Sequence, residues 1–263
     1  GEADWDASDG GGRLFVADFD NDGDKDIVAV HGARYDYGSV SWFENGDSWR
    51  KRTINDKDNY QGRLSYISIT DLDRDGDIDI IVGGSLKSTH DLVWHENLGG
   101  KTGFKEHQIP AANFHVSRLA AADFDNDGDI DIVVTQLQGD GKLSLFENDG
   151  SQNFSQFHLY DGLGISGSIG ITGSVETGDI DNDGDIDFLI NEYWYENTLD
   201  LGAATFSAAD IHTTADAAQS VVAADMDNDG DLDILSASFT DATIAWYEND
   251  GAADPSWTAA NIV

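Results

Sequence analysis

Asp18-Phe19-Asp20-Asn21-Asp22-Gly23-Asp24-Lys25-Asp26 is the first of five copies of one nine-residue pattern, D-x-D-x-D-G-D-x-D. The other four begin at Asp71, Asp123, Asp179 and Asp225, with no gap and no change at a fixed position. Successive starts lie 53, 52, 56 and 46 residues apart, so five units of about 52 residues account for nearly all of the 263. A repeat of that length has to be read before any local element, because it decides the architecture. The repeats run over about 13–62, 63–116, 117–168, 169–218 and 219–263, and together they form one expected domain, 1–263.

Working outward from the acidic loop, each repeat has the same layout. A short apolar segment precedes it (Leu14-Phe15-Val16-Ala17, Leu119-Ala120-Ala121-Ala122, Val221-Val222-Ala223-Ala224), and a β-branched run follows it (Ile27-Val28-Ala29-Val30, Ile132-Val133-Val134). Both read as buried strands. A third segment ends in Trp-aromatic-Glu-Asn, and a fourth carries an aromatic and then Ile or Leu: Trp49 to Ile54, Phe104 to Ile109, Phe154 to Leu159, Phe206 to Ile211 and Trp257 to Ile262. No helical period is sustained anywhere, and Gly, Asn and Asp punctuate the chain. Four short strands in a repeat of this length predict an all-β fold, a β-propeller of five four-stranded blades with one acidic loop per blade. A β-solenoid has much shorter rungs. The chain starts at a first strand and stops in a fourth, which suits a closed ring of five blades; a cut at Val263 in a longer array is the competing reading.

Composition removes several function classes. Fourteen Lys and Arg stand against 51 Asp and Glu, a formal charge of −37. Such a chain repels phosphate backbones and anionic headgroups, so nucleic acid and membranes are not expected partners. A content of 40% hydrophobic residues, with 7 Trp, 8 Tyr and 12 Phe, is too apolar for a disordered acidic tail. The absence of Cys excludes disulfides, thiol catalysis and thiolate metal sites. No apolar run approaches the roughly 18 residues of a spanning helix, and Gly1-Glu2-Ala3-Asp4 reads as a processed or trimmed start.

Asp at positions 1, 3, 5 and 9 of a tightly turned loop gathers hard oxygen donors, and Gly at position 6 permits the turn. Calcium takes six to eight such oxygens in flexible geometry, whereas magnesium demands a stricter octahedron. The expected carboxylate ligands are Asp18, Asp20, Asp22 and Asp26; Asp71, Asp73, Asp75 and Asp79; Asp123, Asp125, Asp127 and Asp131; Asp179, Asp181, Asp183 and Asp187; and Asp225, Asp227, Asp229 and Asp233. Position 7 (Asp24, Asp77, Asp129, Asp185, Asp231) is expected to contribute its carbonyl. No Glu follows at position 12, so position 9 is expected to close the site, in bidentate fashion. About five Ca²⁺, one per repeat, are the expected cofactors. A bare Asp-Gly turn would not need four or five carboxylates crowded together against their mutual repulsion.

Loops of this kind between the first two strands of a blade, followed by W-F/Y-E-N, resemble the FG-GAP or VCBS repeats of bacterial secreted and surface propellers. More distantly they are similar to the calcium-loop blades of the integrin head. The resemblance covers essentially the whole chain. It implies a calcium-stabilised propeller outside the cell, used for adhesion, for glycan binding or, in some polysaccharide-cleaving relatives, for catalysis. Members usually have seven or eight blades, and five is a departure.

The element Trp42-Phe43-Glu44-Asn45 recurs as Trp94-His95-Glu96-Asn97, Leu145-Phe146-Glu147-Asn148, Trp194-Tyr195-Glu196-Asn197 and Trp246-Tyr247-Glu248-Asn249. Recurrence in every repeat reads as architecture, with the Trp in the core and the Glu hydrogen-bonded at the strand end; sugar stacking and paired-Glu hydrolysis are the competing readings. Function is sought where the repeats differ, on the face away from the acidic loops. The candidate ligand-binding residues there are His31, Arg34, Tyr35, Tyr37, Arg63, Lys87, His90 and Arg118, with Lys57, Tyr60 and His115 close by. All 14 basic residues lie at or before Lys142, and residues 143–263 contain none. Arg with Tyr suits a uronate or sulfated glycan, and exposed ion pairs are the bland alternative. No catalytic residue is assigned. The expectation is a secreted or cell-surface, non-catalytic recognition or adhesion module, with a glycan or a surface protein as partner. A lyase on an acidic glycan, using Arg34 with Tyr35, Tyr37 or His31, and a structural subunit of an extracellular assembly are the alternatives.

Overall fold

A computed structural model describes residues 13–31, 39–55, 62–86, 92–100, 102–110, 116–136, 142–161, 175–190, 193–199, 204–211, 218–238 and 242–262. Alternation of apolar and polar residues in short runs between Gly- and Asp-rich turns builds strands only; no helix occurs among the described residues. The twenty strands fall into five four-stranded antiparallel sheets, each built from consecutive strands. The first sheet holds β1 (Arg13–Ala17), β2 (Asp26–His31), β3 (Ser39–Glu44) and β4 (Arg50–Asn55). The second holds β5 (Gly62–Thr70), β6 (Asp79–Leu86), β7 (Leu92–Asn97) and β8 (Phe104–Gln108). The third holds β9 (Val116–Ala122), β10 (Asp131–Gln136), β11 (Lys142–Asn148) and β12 (Phe154–Asp161). The fourth holds β13 (Val175–Gly178), β14 (Asp187–Ile190), β15 (Tyr193–Asn197) and β16 (Phe206–Asp210). The fifth holds β17 (Ala218–Ala224), β18 (Asp233–Ser238), β19 (Ile244–Glu248) and β20 (Thr258–Asn261).

These are the four strands per repeat that the sequence predicts, and the order within each sheet is that of a blade. Register repeats as closely as the loop does. The residue after the closing Asp faces the aromatic of the W-x-E-N element in every sheet: Ile27 opposite Phe43, Ile80 opposite His95, Ile132 opposite Phe146, Phe188 opposite Tyr195 and Ile234 opposite Tyr247. A slip of one residue would move the whole apolar set to the other face, so burial of both faces holds this register. Among the described residues, each sheet is built from the strands of its own repeat.

The chain divides into two compact units, Gly1–Leu119 with Asp149–Phe154, and Ala120–Asn148 with Ser155–Val263. In the first unit, one face of the first sheet packs on the opposite face of the second: Phe19, Val40 and Trp42 meet Ile67, Ile80 and Val82. In the second unit the same arrangement recurs, Phe124 and Leu145 against Val175 and Phe188, then Ile180 and Trp194 against Val221 and Tyr247. Edge-to-face rings reinforce these cores, as in Phe19 with Phe104 at 6.5 Å and Phe124 with Phe206 at 5.8 Å. While Trp246 is half-buried, Trp42, Trp94 and Trp194 of W-x-E-N are buried, as expected of core. Each such side chain contributes about 1.5–3 kcal/mol by leaving water.

Candidate metal centres

The acidic loops join the first two strands of each sheet, and two left-handed residues shape each turn. The Gly at position 6 has φ between 95° and 105° (Gly23, Gly76, Gly128, Gly184, Gly230), which a Cβ disfavours. Position 4 also lies in this region, at 57°, 56°, 60° and 65° in Asn21, Asn126, Asn182 and Asn228, and at 61° in Arg74. Asn tolerates that conformation better than other side chains do.

Within this frame the carboxylates bond the loop's own amides. Position 1 accepts from the Gly amide, as Asp18 from Gly23 at 3.0 Å and Asp179 from Gly184 at 3.1 Å. Position 5 accepts from the amide of position 7 in all five loops, at 3.0 Å for Asp22, 2.9 Å for Asp75, 2.8 Å for Asp127, 2.9 Å for Asp183 and 3.1 Å for Asp229. These bonds gather carboxylate oxygens into five clusters: Asp18, Asp20 and Asp22; Asp71, Asp73 and Asp79; Asp123, Asp125 and Asp127; Asp179, Asp181 and Asp183; and Asp225, Asp227 and Asp229. In each, three oxygens lie within 4.8 Å of one another.

The donor set fits a hard divalent cation. With metal–oxygen distances of about 2.3–2.6 Å, one Ca²⁺ bridges oxygens up to about 5 Å apart. Oδ1 of Asp71 and Oδ1 of Asp179 are buried and accept no hydrogen bond, which is costly unless something else meets them. Burial and then the neighbouring Asp183 push the carboxyl of Asp181 up to about 6. Burial chiefly, with Asp75 and Asp127 next to them, also raises Asp73 and Asp125. Each cluster could therefore hold one metal ion, with positions 1 and 3 common to all five, position 5 joining them in four and position 9 (Asp79) in the second, and hard-cation countercharge as the chemistry it would supply.

Position 9 has a second employment that the sequence did not disclose. Asp26, Asp79, Asp131, Asp187 and Asp233 are all buried, and both oxygens of each accept backbone amides. One oxygen takes the amide of position 2, from Phe19 at 3.1 Å, and from Leu72, Phe124, Ile180 and Met226 at 3.0 Å. The other takes the amide of the W-x-E-N Asn, at 2.7 Å from Asn45, Asn97 and Asn197 and 2.9 Å from Asn148 and Asn249. Trp194 Nε1 adds a third bond to Asp187 at 3.1 Å. Position 9 thus staples the loop to the end of the third strand. Burial pushes Asp79, Asp131 and Asp187 up to about 7 despite the amides that favour their charged forms.

Position 7 turns its side chain toward the preceding repeat. Asn21 donates to Asp77, Asn126 to Asp185 at 2.8 Å and Asn182 to Asp231 at 2.7 Å. The W-x-E-N Asn does the same from the other side, its amide donating to the position-2 carbonyl of the repeat before: Asn97 to Phe19 and Asn197 to Phe124 at 2.7 Å, Asn249 to Ile180 at 2.9 Å. The signal for these links was in the sequence, since Asn holds position 4 in four loops and ends all five W-x-E-N elements. The Glu of that element is hydrogen-bonded at the strand end as expected, with Arg52 on Glu44 at 2.7 Å and Ser207 on Glu196 at 2.9 Å.

Of the candidate ligand-binding residues, Arg34, Tyr35, Tyr37, Lys87 and His90 lie outside the described residues, as do Lys57, Tyr60 and His115. His31 ends β2 and Arg63 lies near the start of β5. Arg118 sits on β9 with its guanidinium over the Tyr66 ring at 4.8 Å and donates to the Ser117 carbonyl at 2.7 Å.

Five blade-type sheets, each carrying an acidic loop whose carboxylates could hold a metal ion, define an all-β repeat protein with acidic-loop blades. FG-GAP-like repeats match residues 18–82, 71–134, 123–190 and 191–236, and the chain belongs to that family. Comparison with curated protein sequences finds no match. Among solved structures, the crystal structure of rhamnogalacturonan lyase YesW is similar with a TM-score of 0.56 and 11% identity, over 92% of this chain and 49% of the lyase. Bacillus licheniformis rhamnogalacturonan lyase PL11 is similar with a TM-score of 0.53 and 12% identity, over 89% of this chain and 48% of that one. The chain spans about half the length of these lyases, and at such identity the likeness is one of fold.

Proposed function

We propose that this chain is a set of propeller blades, each locked by one Ca²⁺ in its acidic loop, that works outside the cell as a non-catalytic module recognising an acidic polysaccharide. The bound ion supplies countercharge and fixes the turn between the first two strands; binding falls to other residues. The observation that carries the reading is the asymmetry of charge. In a chain of −37, every one of the 14 basic residues lies in residues 1–142. Arg118, packed on Tyr66, is a described member of that sector. Guanidinium groups pair carboxylates and aromatic rings pack sugar faces, so uronate-bearing polymers such as rhamnogalacturonan are the ligand class.

A second reading is favoured by the likeness to two rhamnogalacturonan lyases. In that reaction an Arg neutralises the uronate carboxylate and a base takes the C5 proton. The C4 oxygen then leaves with its bonding pair as the C4–C5 double bond forms. Arg34 with Tyr35, Tyr37 or His31 supplies those residue types. One experiment separates the readings: calcium-loaded protein is titrated with rhamnogalacturonan, polygalacturonate and a neutral glycan while binding and the ultraviolet absorbance of unsaturated ends are followed together. Saturable binding of the acidic polymers without new absorbance, weakened by Arg34→Ala or Arg63→Ala, is the expected result. Rising absorbance makes the chain a lyase, and silence in both channels refutes the recognition module in favour of a structural subunit.

A further inference from the structure

The turns that follow the W-x-E-N elements differ in the use of one amide. In the second, third and fourth repeats the residue after the Asn donates its backbone N–H across the turn, Leu98 to Gly103 at 3.0 Å, Asp149 to Asn153 at 3.2 Å and Thr198 to Thr205 at 2.8 Å. In the first repeat that residue is Gly46, and its N–H donates instead to Oδ1 of Asn45, the side chain immediately before it, at 3.0 Å. No other Asn in the chain precedes a Gly. The Gly46 nitrogen is thus held against a carboxamide whose carbon lies one bond from that oxygen, and Gly46 has no Cβ to hinder the approach. Two further bonds fix Asn45: its backbone N–H donates to Asp26 at 2.7 Å and its Nδ2 to the Lys25 carbonyl at 3.1 Å.

The Asp-Gly pairs of the acidic loops have a similar sequence but a different geometry. Gly23, Gly76, Gly184 and Gly230 donate their amides to the position-1 carboxylate, at 3.0, 3.0, 3.1 and 3.2 Å. The Asp before each Gly turns an oxygen to the amide after it. In these loops the Gly nitrogen and the preceding side chain are therefore engaged elsewhere.

We propose that Asn45 is a self-modification site, converted in the native protein to isoaspartate and aspartate by attack of the Gly46 nitrogen. Hydroxide takes the Gly46 amide proton as the bond from nitrogen to Cγ of Asn45 forms. The tetrahedral carbon then expels the side-chain nitrogen, which picks up a proton from solvent and leaves as ammonia, and a five-membered succinimide remains. Water adds to either ring carbonyl: opening the bond to Cγ gives aspartate, and opening the main-chain bond gives isoaspartate. One water is consumed, one ammonia is released, and nothing is oxidised or reduced. The product loses the Nδ2 bond to Lys25 and gains a carboxylate beside the closing Asp of the first acidic loop. Isoaspartate also lengthens the main chain by one methylene between β3 and β4. None of this rests on the glycan reading.

The test ages full-length, calcium-loaded protein at mildly alkaline pH and digests it with trypsin, which releases residues 35–50 as one peptide. Mass spectrometry follows the gain that marks amide-to-acid conversion, and an isoaspartate-specific methyltransferase labels the isomer. The expected result is conversion at Asn45 ahead of every other Asn, with isoaspartate the larger product and no label at the Asp-Gly pairs. Gly46→Ala should slow it about tenfold or more, because a Cβ hinders ring closure. That Cβ would meet no neighbour within 4 Å, so the fold tolerates the variant. An Asn45 that stays intact while a synthetic 35–50 peptide converts overturns the proposal, as does conversion led by another Asn or by an Asp-Gly pair. An equal rate in Gly46→Ala also overturns it, since the Gly46 nitrogen would then not be the attacking group.

Discussion

His95 offers the clearest test of how the buried side of the second sheet responds to pH. It lies on β7, opposite Ile80 and Glu106, and is buried. Burial chiefly, with His107 beside it, lowers its pKa from 6.5 to about 4. The folded state therefore binds fewer protons than the unfolded chain between those values, and stability rises with pH across that window. The contribution is complete above pH 6.5 and is lost as pH falls toward 4. A depression of about 2.5 pH units corresponds to about 3 kcal/mol. The perturbation is His95→Phe, which the fold already accommodates: Phe43 and Phe146 hold the same strand position opposite Ile27 and Ile132. Urea melts of both proteins at fixed calcium, from pH 7.5 down to pH 4.5, separate the effects. Any packing or hydrogen-bond change from Phe offsets the two curves by a constant, whereas loss of the titrating ring makes their difference grow by about 2–3 kcal/mol in favour of Phe toward acid. A difference that stays flat over that range refutes the assignment of a buried neutral imidazole.

Removing calcium with a chelator is expected to lower the melting temperature, each site losing about 3 kcal/mol if it was held at a hundredfold excess over its Kd; an unchanged melt with metal removal verified by atomic emission refutes a structural role. Asp183→Asn should show opposite signs in the two states, destabilising with calcium and neutral or stabilising with chelator, because it removes both a ligand and a like charge. Asp187→Ala deprives the amides of Ile180 and Asn197 and the Trp194 indole of their acceptor, so a loss of roughly 3 kcal/mol is expected. That loss should persist with chelator present, and a deficit seen only with calcium would reduce Asp187 to a metal ligand. Gly184→Ala should cost about 1–2 kcal/mol through backbone strain, since its φ is 97° and a Cβ there would meet no neighbour; thermal melts of both calcium-loaded and chelated protein read it.

The fold was legible because a single loop repeats without error. Once the five loops were aligned, strands placed around them by apolar runs agreed with the structure to within three residues; β4 spans Arg50–Asn55 where Trp49 to Ile54 was expected, and β9 begins at Val116 where Leu119 was expected. The clustering of positions 1 and 3, with position 5 in four of the loops, followed from the same alignment. What escaped was the partner of each polar group. Spacing marks Asp187 as acidic and near the loop, but only the packed chain shows that burial turns both its oxygens onto amides. Nor does spacing distinguish an Asn that caps its own turn from one, like Asn182, that reaches 49 residues along the chain.

The amide that crosses from one loop to the next also has a thermodynamic consequence. Asn126 and Asp185, or Asn182 and Asp231, belong to different acidic loops, so a loop ordered by its ion holds out a fixed donor to its neighbour. The neighbour then surrenders less conformational entropy when it takes up its own ion. With an ion in each loop, affinity would be transmitted along the array by nearest-neighbour coupling, and the third, fourth and fifth loops should fill as a cooperative block. In the second loop Arg74 stands where the others have Asn, so the series of amide donors changes character there. A calcium isotherm for this protein should accordingly be steeper than five independent sites allow.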